Sequence, residues 1–429
     1  MKIHHIAIQN YRGFENFQTN LHPKLSVIVG NNGAGKSTLL DAISIAAGTF
    51  FSGLDGIPAT SIAKEDVTCK SFHMGSVIDL QPQYPAVISA EGELYHRDIQ
   101  WTRSLNGVNG RTTTVDAKQI IATAEEIQVK IREGDTAVIL PIISYYGTGR
   151  LWAQKKEKKS SENLVQFSRL SGYIDALAAE SNEKLMLKWF EKMTIQQAQR
   201  GTISPELAAV EKAVSRCFSG ITEATEVTTQ FNLDTHNLDI LYTEQSGEKK
   251  RIPMKNLSDG YKNTIGMIAD IAYRMAVLNP QLLDRVLTET PGIVLIDEVD
   301  LHLHPRWQQR ILGDLQMLFP NVQFIVSTHA PLVISSVKRE NLIVLDNGSQ
   351  TAPLPSEVYG KDANYILGGV MESKIRPASV QKMFDHFYQT LETEDLSLAQ
   401  RELDAIEAEI GADDSELTQA RITLALEQI

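Results

Sequence analysis

The run Gly30-Asn-Asn-Gly-Ala-Gly-Lys-Ser37 constrains this chain more than any other feature. It matches the pattern G-x-x-x-x-G-K-[ST] in full, and its flanks fit it. Leu25–Val29 is a short β-branched stretch that reads as a buried strand, and Thr38–Ala47 carries helix formers with apolar spacing. A strand, a glycine loop and a helix in that order are what a phosphate-binding loop requires. Gly30, Gly33 and Gly35 permit positive φ and close backbone approach. The backbone N–H groups from Gly30 through Asn31, Asn32 and Ala34 to Thr38 can then surround phosphate oxygens at a helix start, where the helix dipole favours an anion. Lys36 reaches the outer phosphates, and the Ser37 hydroxyl is placed to hold Mg²⁺.

A second site lies far along the chain. Gly292–Ile296 is an apolar strand, and Asp297 and Glu298 emerge at its C-terminal end, where ligands gather in open α/β sheets. In that position Asp297 is expected to hold Mg²⁺ and Glu298 to act as general base toward a water. On its own an Asp-Glu pair at a strand end is often only a solvated pair; a complete phosphate loop in the same chain weakens that reading.

Composition narrows the class. In 429 residues, 41 Lys and Arg stand against 53 Asp and Glu, a net charge of −12 that argues against coating nucleic acid by bulk charge. Two cysteines, Cys69 and Cys217, exclude a disulfide scaffold and a four-cysteine zinc site. No apolar run approaches the ~18 residues of a membrane span, and the opening MKIHHIAIQNYRGF lacks a secretory apolar stretch. These features predict a cytoplasmic protein with no membrane partner.

Local patterns divide the chain. Ile3, Ile6 and Ile8 alternate with polar residues and predict an edge strand. Val87–Leu94, Asp98–Ser104, Ala137–Ser144, Leu238–Tyr242, Arg251–Met254 and Gln323–Ser327 predict further strands. Helices are expected over 116–132, most of 163–219, Tyr261–Leu278 and Trp307–Leu318. In the tail, Val380, Met383, Phe384, Phe387 and Leu391 share one helical face, and Leu396, Ala399, Leu403, Ile406 and Ile410 form a second stripe. Lys155, Lys156, Lys158 and Lys159 form a basic run that is more often a solvated face than a nucleic-acid contact.

Three more segments follow in order: Asn256-Leu-Ser-Asp-Gly260, Val299-Asp-Leu-His-Leu-His-Pro305 and Ser327-Thr-His329. With them the chain resembles the ABC-type ATPases of the group that includes RecF, SMC and the OLD proteins. The resemblance implies an α/β P-loop ATPase head with a mixed sheet, a helical insertion and a C-terminal helical appendage. Its expected parts are an N-terminal lobe at 1–150, the insertion at 151–226, a C-terminal lobe at 227–376 and a helical tail at 377–429. ATP and Mg²⁺ are the implied cofactors. Ser258 and Gly260 belong to the signature loop, Asp300 to the D-loop and His329 to the switch that senses the γ-phosphate. The family's arrangement is a head-to-tail homodimer in which Lys36 of one subunit faces Ser258 and Gly260 of the other across ATP. His302 and His304, which could suggest zinc, fall in the D-loop instead.

Two departures stand out. The signature reads LSDGY, placing the Asp259 carboxylate where the family usually has glycine. The slot that usually offers a glutamine holds Tyr146-Gly-Thr-Gly-Arg150, with Gln154 the nearest glutamine.

Within the group the chain is most similar to the ATPase subunit of Septu-type antiphage systems, also found beside some retrons. The similarity rests on NYRGF at 10–14, WTRSLNG at 101–107, YYGTGR at 145–150, DEVDLHLHPRWQ at 297–308 and GKDANYIL at 360–367. It implies higher assembly of ATPase dimers and an HNH-type nuclease partner docked by the tail, with nucleic acid reached through that partner or the basic run. A RecF-like clamp that binds DNA directly is the alternative. Between Ser37 and Asp297 there is no room for the long coiled coil of SMC chains. The 100 residues after His329 show no acidic cluster of a Toprim nuclease.

Overall fold

The computed structural model describes residues 1–75, 77–151, 168–178, 183–222, 224–346, 348–350, 357–371, 376–393 and 395–427. Gln154 and the basic run at 155–159 lie outside the described residues. Two compact units emerge, Met1–Lys361 and Asp362–Ile429.

In chain order the strands are β1 (Lys2–Tyr11), β2 (Phe14–Asn20), β3 (Leu25–Gly30), β4 (Cys69–Met74), β5 (Val77–Pro82), β6 (Ala86–Leu94), β7 (Arg97–Leu105), β8 (Ile142–Tyr146), β9 (Thr225–Asn232), β10 (Asn237–Thr243), β11 (Lys249–Pro253), β12 (Gly292–Ile296), β13 (Val322–Thr328), β14 (Leu342–Asp346) and β15 (Ser349–Gln350). The sheet that positions the site has the order β15-β14-β3-β13-β12-β8 and is parallel except for β15. Strands β3, β8, β12 and β13 are buried along their whole length, as expected of parallel strands covered on both faces. Their apolar runs are continuous rather than alternating for that reason. The helix Lys36–Gly48 follows β3 and buries residues on every side, so it is a core element rather than a surface one.

A second, antiparallel sheet has the order β2-β1-β6-β7. This corrects the edge assignment of the first strand: β1 lies inside the sheet, paired to β2 on one side and β6 on the other. Alternation along β1 records one covered face and carries no information about which neighbours pair with it. Ile3, Ile6 and Ile8 form that covered face. The buried side chain of Gln323 joins the two sheets. Its Oε1 accepts from Ile3 N at 2.9 Å, and its Nε2 donates to Ile3 O at 2.7 Å and His22 O at 3.1 Å.

The strand expected over Ala137–Ser144 is confined to β8. Pro141 has no N–H to give a ladder. The backbone of Leu140 is taken instead by the Asn279 side chain, which accepts from Leu140 N and donates to Leu140 O, each at 2.8 Å. The helix expected over Trp307–Leu318 is broken into Pro305–Gln308 and Ile311–Leu318. Trp307 Nε1 donates to Ile221 O at 2.8 Å and Arg310 Nη1 to Gly220 O at 3.2 Å, so both sides of the break are anchored to the helix Pro205–Thr222. The long helix Asp259–Leu278 starts two residues before the expected Tyr261. Cys69 is an exposed free thiol and Cys217 a buried one.

The second unit closes its own core. Helices Ala378–Glu392, Leu396–Ile410 and Ser415–Glu427 pack around Phe384, Phe387, Leu403, Ile406 and Leu417. Gly411 has φ +87°, ending the second helix, and the Asp414 carboxylate caps the third by accepting from Glu416 N and Leu417 N. Arg376 bonds Asp414 at 2.7 Å and Glu416 at 2.8 Å, with its guanidinium over the Phe384 ring.

Candidate functional site

The C-terminal ends of β3, β12, β13 and β8 converge because these strands run parallel in register. The glycine loop leaves β3 and turns through Gly33 at φ +84° and Gly35 at φ +104°. Neither conformation suits a residue with a Cβ. At Gly35 a Cβ would also meet the Phe14 ring at 2.9 Å, and at Gly30 it would meet Leu345 O at 2.4 Å. Asn31, Asn32 and Gly33 form the exposed lip, Ala34 is buried and donates from its N to Asn31 O at 3.1 Å, and Thr38 is half-buried in the first turn.

Lys36 lies back along the loop, its Nζ donating to Gly30 O at 2.9 Å and Asn31 O at 3.0 Å. Burial lowers its pKa, and the negative charge of Asp297, Glu298 and Asp300 opposes that shift. The ammonium therefore rests on the edge of the loop, beside three carboxylates.

Ser37 and Asp297 meet directly: the Ser37 hydroxyl donates to Asp297 Oδ2 at 2.7 Å. The other oxygen of Asp297 accepts from the buried Ser327 hydroxyl, and Asp297 N donates to Tyr146 O at 2.8 Å. Asp297 is 4% exposed and held from three strands. Glu298, the next residue, has φ +48°, a left-handed conformation that costs a side-chain-bearing residue about 1 kcal/mol or more. Its N donates to Ser327 Oγ at 2.8 Å, and Val299 N donates to Ser327 O at 3.0 Å. Ser327 thus fixes both the buried carboxylate and the turn that presents the next one. Ser327 opens the Ser327-Thr-His329 segment, and nothing in its spacing marks this role.

Asp300 accepts from the Thr328 hydroxyl at 2.5 Å, tying the loop after β12 to the end of β13. His329 follows β13 and is half-buried; burial and the neighbouring Lys36 lower its pKa from 6.5, so the ring is neutral at pH 7. His302 has φ +60°, and His304 Nδ1 accepts from Arg306 N, capping the short helix that follows. Among the described residues no group of three or more His, Cys, Asp or Glu could hold a metal ion.

Ser258 is the exposed N-cap residue of the helix Asp259–Leu278, and its hydroxyl makes no bond to its own helix. Asp259 is exposed in the first turn. Gly260 is buried, and a Cβ there would lie 2.3 Å from His302 O. Its smallness is needed inside the chain, where the signature turn packs on the loop after Glu298.

Tyr146, which opens the slot where the resemblance implies a glutamine, follows Tyr145 on β8. Alternation on β8 sends them to opposite faces. Tyr145 bonds the Asp41 carboxyl on the helix Lys36–Gly48, and Tyr146 Oη donates to Asp270 Oδ2 at 2.8 Å on the signature helix. Asp270 also accepts from Arg274 Nε at 2.7 Å. Arg12 pairs with Asp41 and with Asp66, so the NYRGF segment is bound to the same helix through the same Asp41 carboxyl that Tyr145 bonds. The Asp270–Arg274 pair, four residues apart on one helix, is legible from spacing, whereas the other partnerships join segments far apart in the chain.

Known proteins resemble this chain over most of its length. A family model described as an AAA domain matches residues 5–215, and a second AAA-domain model, whose description also names the AbiEii toxin of a type IV TA system, matches 148–335. The "Retron Ec83 probable ATPase" of Escherichia coli is 27% identical over 442 residues, covering 88% of this chain and 77% of that protein. The chain is a P-loop ATPase. This ATPase is also 26% identical to the "Retron Vc95 probable ATPase" of Vibrio cholerae serotype O1 biovar El Tor, over 88% of this chain and 80% of that one. The Septu protein PtuA of Bacillus thuringiensis is 25% identical over 83% of this chain and 80% of that protein. An SMC head domain from Thermotoga maritima overlaps with a TM-score of 0.44 at 16% identity, covering 83% of this chain and 100% of that one. No helix among the described residues is long and apolar enough to cross a membrane.

Proposed function

We propose that this ATPase is the nucleotide-controlled regulatory subunit of a cytoplasmic antiphage defence complex, forming ATP-sandwiching homodimers that assemble further and govern a partner HNH-type nuclease. The observation that carries the reading is the Ser37–Asp297–Ser327 constellation with Glu298 beside it, a hydrolytic arrangement in a chain with no nuclease centre among its described residues. Its similarity to retron and Septu proteins supports the defence role.

The chain's residues divide the work as follows. The loop Gly30–Thr38 surrounds the phosphates, and Lys36 exchanges its loop carbonyls for phosphate oxygens. Ser37 and Asp297 offer only hard oxygen donors, which suits Mg²⁺, and such an ion would neutralise charge on the transferring phosphoryl group. Glu298, presented by its left-handed turn, takes a proton from the attacking water. His329, neutral and next to Lys36, donates a ring N–H toward the terminal phosphate. Ser258, with its unspent hydroxyl, and the helix start at Gly260 face outward to close a second subunit's site. Asp300 keeps the intervening loop in place through Thr328. The head divides into lobes at 1–150 and 227–376 around an insertion at 151–226, and the helical tail from 377 docks the nuclease.

The test is Glu298→Gln in the complex with its partner. It should lose turnover, keep ATP and hold the dimer by light scattering, with nuclease output altered. Unchanged turnover, or a dimer indifferent to ATP, would overturn the reading.

A further inference from the structure

A groove of about 510 Å³ opens between the turn Arg169–Tyr173, the helix Glu183–Arg200 and the C-terminal half of the signature helix. No part of the hydrolytic site uses it. Its floor is aromatic and aliphatic: Trp189 and Tyr273 stand 5.5 Å apart, centroid to centroid, with planes at 61°, and Met193 lies one turn along from Trp189. Its rim is cationic. Lys188 and Lys192, one helical turn apart and both exposed, line it together with Arg169, and Glu206 is the one carboxylate among the described lining residues. Arg169 is fixed in place by donating to Leu278 O and Val138 O, each at 2.7 Å. Glu206 accepts from the Ser204 hydroxyl at 2.8 Å.

Two crossed rings form a corner in which a flat ligand ring can stack on one and meet the edge of the other. Lysine ammoniums at the mouth suit a compact, strongly charged anion such as phosphate. The volume lies in the range of small-molecule sites, about 300–1,000 Å³. We infer that this groove binds a mononucleotide, its base on the Trp189–Tyr273 corner and its phosphate on Lys188 and Lys192, as an effector site separate from the ATP loop.

The groove is wired to that loop by side chains. Arg274 Nη1 donates to Gly172 O and Ile174 O, each at 2.9 Å, and Ile174 lines the groove. The same guanidinium holds Asp270, Asp270 holds Tyr146, and the Tyr146 carbonyl receives Asp297 N. A ligand that clamps residues 168–174 onto the signature helix therefore biases the strand end that carries Asp297, and by linkage ATP biases the groove equally. Binding at the groove is independent of the proposed defence role.

Equilibrium dialysis of the full chain with labelled AMP, with the ATP loop saturated by Mg²⁺ and a non-hydrolysable ATP analogue, tests the proposal. It should show saturable binding of one AMP per chain, with adenosine binding at least 10-fold more weakly. Lys192→Glu, at an exposed position that leaves the fold intact, should weaken AMP at least 10-fold while leaving the analogue's affinity unchanged. Absence of saturable AMP binding, indifference to Lys192→Glu, or loss of AMP whenever the ATP loop is filled would each overturn it. So would capture of an acidic peptide or an oligonucleotide in place of AMP.

Discussion

The hydroxyl of Ser37 and the carboxylate of Asp297 are 260 residues apart in the chain and 2.7 Å apart in space. Neither side chain could hold that position alone. The P-loop helix fixes one, three buried parallel strands fix the other, and the hydrogen bond joins the two halves of the proposed hydrolytic site.

Ser327→Ala should show what that preorganisation contributes. The substitution leaves Asp297 with one partner fewer and Glu298 N without its acceptor. Stability should fall by about 1–3 kcal/mol in urea titrations. Phosphate release should show a lower kcat with KM for ATP little changed, because the lost bonds orient the carboxylates rather than the loop.

Glu298 gives a prediction with two opposite signs. Its φ of +48° is strained for glutamate and free for glycine. Glu298→Gly should raise the unfolding free energy by up to about 1 kcal/mol while abolishing turnover. Glu298→Gln should abolish turnover with stability unchanged, so that the pair separates backbone strain from chemistry.

Lys36→Ala should lower turnover by at least about 100-fold, as loss of a charge that stabilises the transferring phosphoryl group does. It should not lower Tm appreciably, since the resting partners of Lys36 are two loop carbonyls next to solvent-exposed residues.

Much of this was legible in the sequence. Gly292–Ile296 has the predicted bounds because a short, continuous apolar run has no other way to be buried in a parallel sheet. The placement of the glycine loop, Asp297 and Glu298 at strand ends was legible because each motif is contiguous with its own apolar strand. What spacing could not show is pairing between distant segments. The interior position of β1, the Gln323 bridge between sheets and the Tyr146–Asp270 bond depend on which strand or helix lies alongside, and no periodicity encodes that. Asn279, capturing the backbone of Leu140, displaced a strand that local propensity favoured.

The buried network predicts an asymmetry. Tyr146→Phe removes one neutral donor and should cost about 1 kcal/mol. Asp270→Ala strips the carboxylate from Arg274, whose side chain is 6% exposed, and should cost about 3–5 kcal/mol by leaving that charge unpaired. Urea titrations of both variants check the ratio, and near-equal losses would mean that the Gly172 and Ile174 carbonyls suffice to hold Arg274.

His329 sets a pH dependence. Its folded pKa lies below the ordinary 6.5, because burial and Lys36 disfavour the charged ring. Below pH 6.5 the unfolded chain binds a proton that the folded one does not. The contribution is therefore complete above 6.5 and lost as pH falls toward the folded value. Unfolding free energy should decline more steeply below pH 6.5 in the wild type than in His329→Gln.

Gly260 leaves no gap between the signature turn and the carbonyl of His302. A chain built this way cannot tilt its outward-facing helix start without dragging the loop that begins at Glu298. Whatever touches Ser258 from outside is in mechanical contact with the loop that presents Glu298, the proposed base. In a symmetric pair, each copy would learn the state of its neighbour through a space too small for a methyl group.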